Sequence, residues 1–227
     1  MTRIVAIIPA RGGSRGIPRK NLSIFRGETL VDHAIKFAKT LSVDKVILSS
    51  DSDVILEVGN SNTITAIKRS DVASDDMASD LDVVKELYRD AHITEQDILV
   101  WLRPTAPIRS RSDTMLALDL IIGDLAVNAL RSVAEVPAEF HPSWQCVIDG
   151  GEIKPHNGNL HGFNNITRRQ ELVPSYYFTC QFELIRMRQL LLQNVFYPGP
   201  IRAWCVEDPG VDINTPRDLK VLQSLYP

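Results

Sequence analysis

The chain has 227 residues, 44% hydrophobic and 23% charged, the make-up of a folded globular protein with apolar material for one core. Its formal net charge of -3 argues against a nucleic-acid footprint, which needs excess Lys and Arg over a whole face. Its three cysteines, Cys146, Cys180 and Cys205, are widely spaced and form no CxxC pair. That argues against a disulfide framework or a zinc site and fits a reducing cytoplasm.

The first apolar run, Ile4 to Ile8, reads as a strand over Arg3 to Pro9. It is too short for a signal peptide and meets Arg11 where a small-residue cleavage site would be expected. Further strands are predicted at Lys45 to Ser49, Thr63 to Ile67 and Ile98 to Leu102, and helices at Leu30 to Leu41, Ser79 to Ala91 and Ser110 to Ile122. That alternation predicts an α/β fold with a mostly parallel, helix-covered sheet and right-handed crossovers. The most apolar later stretch, Met115 to Leu130, is broken by Asp119, Asp124 and Asn128. It reads as a helix running into a strand, not as a membrane span of about 20 apolar residues. Between Pro137 and Pro174 the pattern degrades into prolines, glycines and asparagines. This insertion is compatible with a hairpin lid, a dimerisation arm or a substrate loop. Strands return at Ala129 to Val136, Tyr176 to Ile185 and Arg202 to Val206, before a last helix over Pro216 to Leu225, with Thr215 as N-cap and Pro216 at N1. Residues 1–227 are read as one domain carrying an insertion over about 137–180.

The segment after the first strand, IPARGGSRGIPRKNL from Ile8 to Leu22, carries four cations, Arg11, Arg15, Arg19 and Lys20, with Gly12, Gly13, Gly16 and Ser14. Ligands of open α/β sheets bind at the carboxyl ends of strands. Glycines there let backbone N–H groups approach phosphate oxygens, and cations neutralise charge that grows on a leaving pyrophosphate. The segment is neither GxxxxGK[ST] nor GxGxxG, because Ile17 and Pro18 follow Gly16 and no helix begins before about Leu30. The plain alternative is a solvated basic turn.

The same segment closely resembles the signature of the acylneuraminate cytidylyltransferases, or CMP-sialic acid synthetases, whose usual form is IPARxGSKGxxxKNL. Six more segments follow in the family's order: Val46 to Asp53, Val72 to Asp75, Arg103 to Arg109 (RPTAPIR against QPTSPLR), His141 with Pro142, Arg168 to Leu172 (RRQEL), and Val211 to Thr215 (VDINT). The resemblance implies the nucleotide-diphospho-sugar transferase fold and a homodimer whose inserted arm helps to close the partner's active site. It also implies CTP-dependent, Mg2+-assisted activation of a nonulosonic, sialic-type acid.

By that similarity Arg11, Ser14, Arg15, Lys20 and Asn21 would hold CTP, with Arg11, Arg15 and Lys20 on the phosphates and Asn21 on the ribose, tasks their chemistry also suits. Gly12 and Gly13 would lend backbone to the same loop, and Pro9, Ala10, Arg69 and Ser79 would lie near the base. Asp212 is the candidate metal ligand, with Asn214 where the family has a second aspartate; Asp51 and Asp53 are possible substitutes. Arg11, Lys20 and Asp212 would carry the chemistry, attack by an acceptor hydroxyl on the α-phosphorus, in which positioning and charge stabilisation dominate. Arg103, Arg168, Arg169 and Tyr177 are the candidates for acceptor binding. At that end the chain departs from the family: Arg103 replaces Gln, the lysine that commonly follows HP is missing near Trp144, and Phe178-Thr-Cys-Gln181 replaces RxNG. Two alternatives stay open, the same chemistry on another keto-sugar acid or a sugar phosphate, and a nucleotide-binding protein without catalysis. His141 reads as a loop-packing histidine, His156 and His161 make no zinc spacing, and Trp101 reads as core. No GxSxG, Ser-His-Asp or Cys-His arrangement stands out.

Overall fold

The computed structural model describes residues 2–14, 16–75, 77–156 and 168–227, the side chain of Arg169 excepted. In chain order the elements are β1 (Ile4–Pro9), β2 (Ile24–Phe25), β3 (Glu28–Thr29), α1 (Leu30–Thr40), β4 (Lys45–Ser50), α2 (Asp53–Ser61), β5 (Thr65–Lys68), α3 (Asp71–Ser74), α4 (Asp80–Arg89), β6 (Ile98–Trp101) and α5 (Arg111–Gly123). They continue with β7 (Ala129–Glu135), β8 (Cys146–Asp149), β9 (Glu152–Pro155), β10 (Tyr176–Arg186), α6 (Met187–Gln193), β11 (Ile201–Cys205) and α7 (Pro216–Leu225).

Seven strands form one sheet in the order β11-β7-β10-β6-β1-β4-β5. All neighbours are parallel except β10, which runs antiparallel to both β6 and β7. The expected mostly parallel α/β fold is therefore present. The reversal of β10 follows from its connection, since the chain returns from β7 through the irregular arm and not through a crossover helix. The period of two is visible in β1. Ala6 and Ile8 pack with Val31, Ile35 and Ile121 on one face, whereas Val5 and Ile7 pack with Val84, Leu87 and Met187 on the other.

The expected helices start where their caps place them. Thr29, Ser79 and Thr215 each accept a hydrogen bond from the N3 amide and complete capping boxes with Asp32, Asp82 and Asp218, while Ser110 caps α5. Helices α2 and α6 are not among those expected. The first carries Val54, Val58, Gly59 and Asn60, all poor helix formers, and the second has only seven residues, so packing and not propensity sustains them. Gly59 lets α2 lie on β4 and β5, since a Cβ there would meet Leu48 at 2.8 Å and Ala66 at 3.1 Å. Part of the insertion is a two-stranded hairpin of β8 and β9; residues 157–167 lie outside the described residues. No helix among the described residues is long and apolar enough to cross a membrane.

A third, smaller apolar cluster decides the site's geometry. Phe25, Leu30, Ile213 and Leu222 are buried together, with Ile17, Ile108, Val211, Leu219 and Tyr226 against them. Ile17 belongs to the basic loop and Ile213 to the segment between Asp212 and Asn214. One small core therefore ties the cationic loop to the acidic one.

Candidate active site

The carboxyl ends of β1, β5 and β6, the start of α4 and the segment after β11 surround a cleft of about 410 Å³, lined by Pro9, Arg11, Gly13, Ser14, Lys20, Asn21, Arg69, Ala78, Ser79, Asp80, Val83, Arg103, Pro104, Thr105, Cys180, Asp212 and Asn214. Such a crevice is where an open α/β sheet binds ligands. Eleven of the residues singled out from the sequence meet in it. Ala10 is buried behind it and Gly12 is turned toward β4. Arg168 and Tyr177 do not line it. Arg15 and the Arg169 side chain lie outside the described residues.

The basic loop is held by backbone bonds and by β4. The Ala10 amide donates to the Ser49 carbonyl at 2.9 Å, and the Gly12 amide donates to Asp51 Oδ1 at 2.6 Å. Only glycine suits position 12 without a shift, because a Cβ would meet Ser52 Cβ at 2.8 Å. Asp51 is thus a loop anchor. Asp53 pairs with Lys68 on the surface, so neither of the possible substitute metal ligands lines the cleft. The Asn21 amide donates to the Arg11 carbonyl at 2.9 Å, which fixes the loop where a ribose contact was expected. Ser49 and Ser50 extend the same scaffold to β5: Arg69 Nε donates to Ser49 Oγ at 2.8 Å and the Arg69 amide to the Ser50 carbonyl. Arg69 Nη2 stays buried with no hydrogen-bond partner, and burial holds this guanidinium below its ordinary pKa.

From the end of the basic loop, Lys20 Nζ donates to the Ile213 carbonyl of the facing segment at 2.8 Å and reaches Asn214 Oδ1 at 3.4 Å. Burial holds the Lys20 pKa below its ordinary value, and Asp212 counters only part of that. Asn214 Nδ2 donates to Asp212 Oδ2 at 2.9 Å, which leaves Asp212 Oδ1 buried with no hydrogen-bond partner. A buried, unsatisfied carboxylate oxygen beside a triphosphate-sized cleft suits a divalent cation. Among the described residues no group of three or more His, Cys, Asp or Glu converges, so protein carboxylates alone make no cage. Phosphate oxygens would have to supply the remaining ligands, the usual habit of Mg2+.

The other end of the cleft is built from opposed charges. Arg103 Nη2 lies 2.5 Å from Asp80 Oδ2 and 3.2 Å from Glu183 Oε2. Glu183 is 1% exposed and also meets Arg131 at 3.6 Å. Burial would lower the Arg103 pKa, but Glu183 and Asp80 outweigh it and hold the guanidinium charged above its ordinary value. Arg131 is sandwiched between Phe178 and Tyr197, 3.4 and 4.0 Å from the ring centroids. Arg103 therefore enters the cleft already neutralised. Asp80, Glu183 and Arg131 escaped the sequence reading; an acid at the first position of α4 and an acid inside an apolar strand were the available signals.

Arg109 and His141 take structural places. Arg109 donates to the backbone carbonyls of Arg103 and Gln181 behind the cleft wall. His141 is 7% exposed and bonded to the Val173 carbonyl at 2.9 Å, the loop packing expected of it. Burial pushes the Cys180 thiol, on the cleft wall, up to about 11.

A protein family described as Cytidylyltransferase matches residues 5–147. The chain belongs to the cytidylyltransferase family. Among its relatives, the pseudaminic acid cytidylyltransferase of Campylobacter jejuni is 38% identical over 247 residues, covering 98% of this chain and 95% of that protein. The CMP-N,N'-diacetyllegionaminic acid synthase of Legionella pneumophila is 26% identical over 98% of this chain and 96% of its own length. The N-acylneuraminate cytidylyltransferase of Oncorhynchus mykiss is 32% identical over 74% of this chain, which spans only 38% of that protein. Among solved structures, a CMP:2-keto-3-deoxy-manno-octonic acid synthetase complexed with CTP superposes with a TM-score of 0.71 at 20% identity, covering 99% of this chain and 98% of that one. At that identity the likeness speaks for the fold. The cytidylyltransferase pattern ends at residue 147, so the segment with Cys180, Glu183 and Asp212 lies beyond it.

Proposed function

We propose that this cytidylyltransferase-family protein transfers CMP from CTP to the anomeric hydroxyl of a nonulosonic acid and releases pyrophosphate. The observation that carries the reading is the meeting of Arg11 and Lys20 with Asp212 across one cleft at the strand ends. The anomeric oxygen attacks the α-phosphorus, and the bond to the bridging oxygen breaks. That oxygen leaves on pyrophosphate with the electron pair, and the hydroxyl proton passes to solvent.

Arg11 and Lys20 neutralise the triphosphate, aided by Arg15, while Gly13 and Ser14 line its path and Gly12, tied to Asp51, holds the loop in place. Pro9, Ala10, Arg69 and Ser79 frame the base, where the unpartnered Arg69 Nη2 is the donor available to a pyrimidine carbonyl. Asp212 would hold Mg2+ through its unpartnered oxygen, with the Asn214 carbonyl as a neutral second ligand. When bound, the ion neutralises phosphate charge. Because Asn214 adds no negative charge, this site binds the ion less tightly than one with two carboxylates.

Arg103 sits at the acceptor end, but its charge is spent on Asp80 and Glu183. The acceptor carboxylate is therefore assigned to Arg168 and Arg169, with Tyr177 beside it. These residues serve a neighbouring copy's cleft in a homodimer. Two features support that assignment: Arg168 and Tyr177 stand away from their own cleft, and the arm exposes Val147, Ile148, Ile153, Val173 and Tyr176. Three free cysteines suit a cytoplasmic setting.

The test is pyrophosphate release with Mg2+ and each of the four nucleoside triphosphates, against sialic, legionaminic, pseudaminic and deoxyoctulosonic acids. Release with CTP and a nonulosonic acid, lost in Arg11→Ala and Asp212→Ala, is the expected result. CTP binding without release across the panel would refute the reading. An acceptor KM unchanged when Arg168 and Arg169 are both made Ala would refute the carboxylate assignment.

A further inference from the structure

The wall behind the acceptor end is held by a group that the reaction itself does not use. Arg109 precedes the Ser110 cap of α5 and does not line the cleft. Its Nε donates to the Gln181 carbonyl at 2.7 Å, and its Nη2 donates to the Arg103 carbonyl. The guanidinium lies 5.5 Å from the Phe37 ring centroid, and Nη1 is buried with no hydrogen-bond partner. Gln181, 1% exposed, continues the chain of contacts: its Nε2 donates to the Asp208 carbonyl at 2.6 Å. The Ile213 amide donates to the Thr105 carbonyl at 2.8 Å. Gly210 allows the two segments to touch, since a Cβ there would lie 3.1 Å from Ile108 Cβ.

Three segments converge on this point. Residues 103–109 bring Arg103, the bulge between Phe178 and Glu183 brings Cys180, and residues 208–214 bring Asp212 to the cleft. None belongs to a regular helix at that point, so backbone carbonyls are left for side chains to satisfy. A guanidinium can satisfy two carbonyls at once with a fixed angle between them. Burial pushes the Arg109 pKa down to about 9, and Asp212 counters part of that.

We infer that Arg109, acting through Gln181, is a positioning residue that sets the acceptor-side loop and the Asp212 segment as one unit. The first part of the basic loop, at Ala10 and Gly12, is anchored separately, by Ser49 and Asp51. The clamp therefore governs where the acceptor and Asp212 stand relative to each other more than whether CTP binds. The kinetic consequence rests on the function proposed above; the structural one does not.

Hydrogen exchange on Arg109→Met and Arg109→Lys separates the two. In Arg109→Met the amides of residues 208–214, Ile213 included, should exchange at least about tenfold faster, while those of β1 and β6 keep their protection. Arg109→Lys, which retains a donor to one carbonyl, should fall between it and the parent. In the kinetic arm, kcat per CTP-binding site should fall at least about 30-fold and the acceptor KM should rise, with CTP affinity changed less than about fivefold. Parent-like exchange at 208–214 would overturn the clamp, whatever the change in Tm. Should Arg109→Met fail to fold, Gln181→Leu, which removes only the tie to Asp208, decides by the same exchange reading. A parent that turns over no acceptor would sink the proposed function while the exchange data still judge the clamp.

Discussion

Gly16 is where the basic loop lies against the acidic segment. A Cβ at this position would stand 2.3 Å from the Asn214 carbonyl oxygen and 3.6 Å from its carbon, and the obstacle is backbone, not the end of a flexible side chain. Gly16→Ala must therefore separate the two loops by about 1 Å to restore ordinary contact. Such a shift moves Lys20, whose ammonium bonds the Ile213 carbonyl at 2.8 Å, relative to Asp212. Misplacement by that amount costs on the order of 100-fold in rate, or about 2.7 kcal/mol of transition-state stabilisation. The stability cost is that of local overpacking, about 1–3 kcal/mol, or a Tm lower by some 2–4 °C per kcal/mol. The assay is kcat/KM for pyrophosphate release alongside thermal unfolding. Gly123→Ala serves as control, because nothing lies within 4 Å of a Cβ there. A Gly16→Ala protein with kcat/KM within twofold of the parent would refute the claim that the loops must meet at this spacing.

Replacing Asp212 with Asn should lower Mg2+-dependent kcat about 100-fold or more, since it removes the charge at the one buried, unpartnered carboxylate oxygen among the described residues; pyrophosphate release reads it. Arg103→Gln leaves Arg131, at 3.6 Å, as the one cation paired with Glu183 among the described residues, so it should destabilise by roughly 3 kcal/mol and lower Tm by about 6–12 °C in a thermal scan. Asp97 is 2% exposed and accepts hydrogen bonds from Arg3 at 3.0 and 2.8 Å and from Thr94 at 2.8 and 2.9 Å. Burial would raise its pKa, but those bonds outweigh it and hold the carboxyl below the usual range. Its contribution is present above the ordinary Asp value and is lost as pH falls through the lower folded-state value. Asp97→Asn should therefore cost about 2 kcal/mol in urea unfolding at pH 7, with a flatter loss of stability toward acid than the parent shows.

Elements with their own local signals were legible from the sequence. The caps Thr29, Ser79, Ser110 and Thr215 mark four helix starts, and β1, β4 and β6 are apolar runs buried on both faces. The basic loop was legible because cations and glycines gathered after a buried strand have few structural uses. What escaped notice depends on distant partners. The direction of β10 is set by the path of the arm, and an apolar strand reads the same in either direction. Asp51, a possible substitute metal ligand in the sequence, is bonded to the Gly12 amide. Arg103 looked like an acceptor-binding cation because nothing in its own segment announces Asp80 or Glu183, 23 positions before it and 80 after it. Arg109 showed no signal beyond its place in RPTAPIR, since its partners are carbonyls, which carry no side-chain identity.

The central claim is that the α-phosphorus of CTP is the electrophile and a sugar acid the nucleophile. Mass analysis of the products from CTP, Mg2+ and the acceptor acids tests it directly. The account predicts a CMP-linked sugar acid and pyrophosphate in equal amounts, both absent without the acid. CDP with phosphate, or CTP recovered unchanged from a protein that binds it, would contradict it.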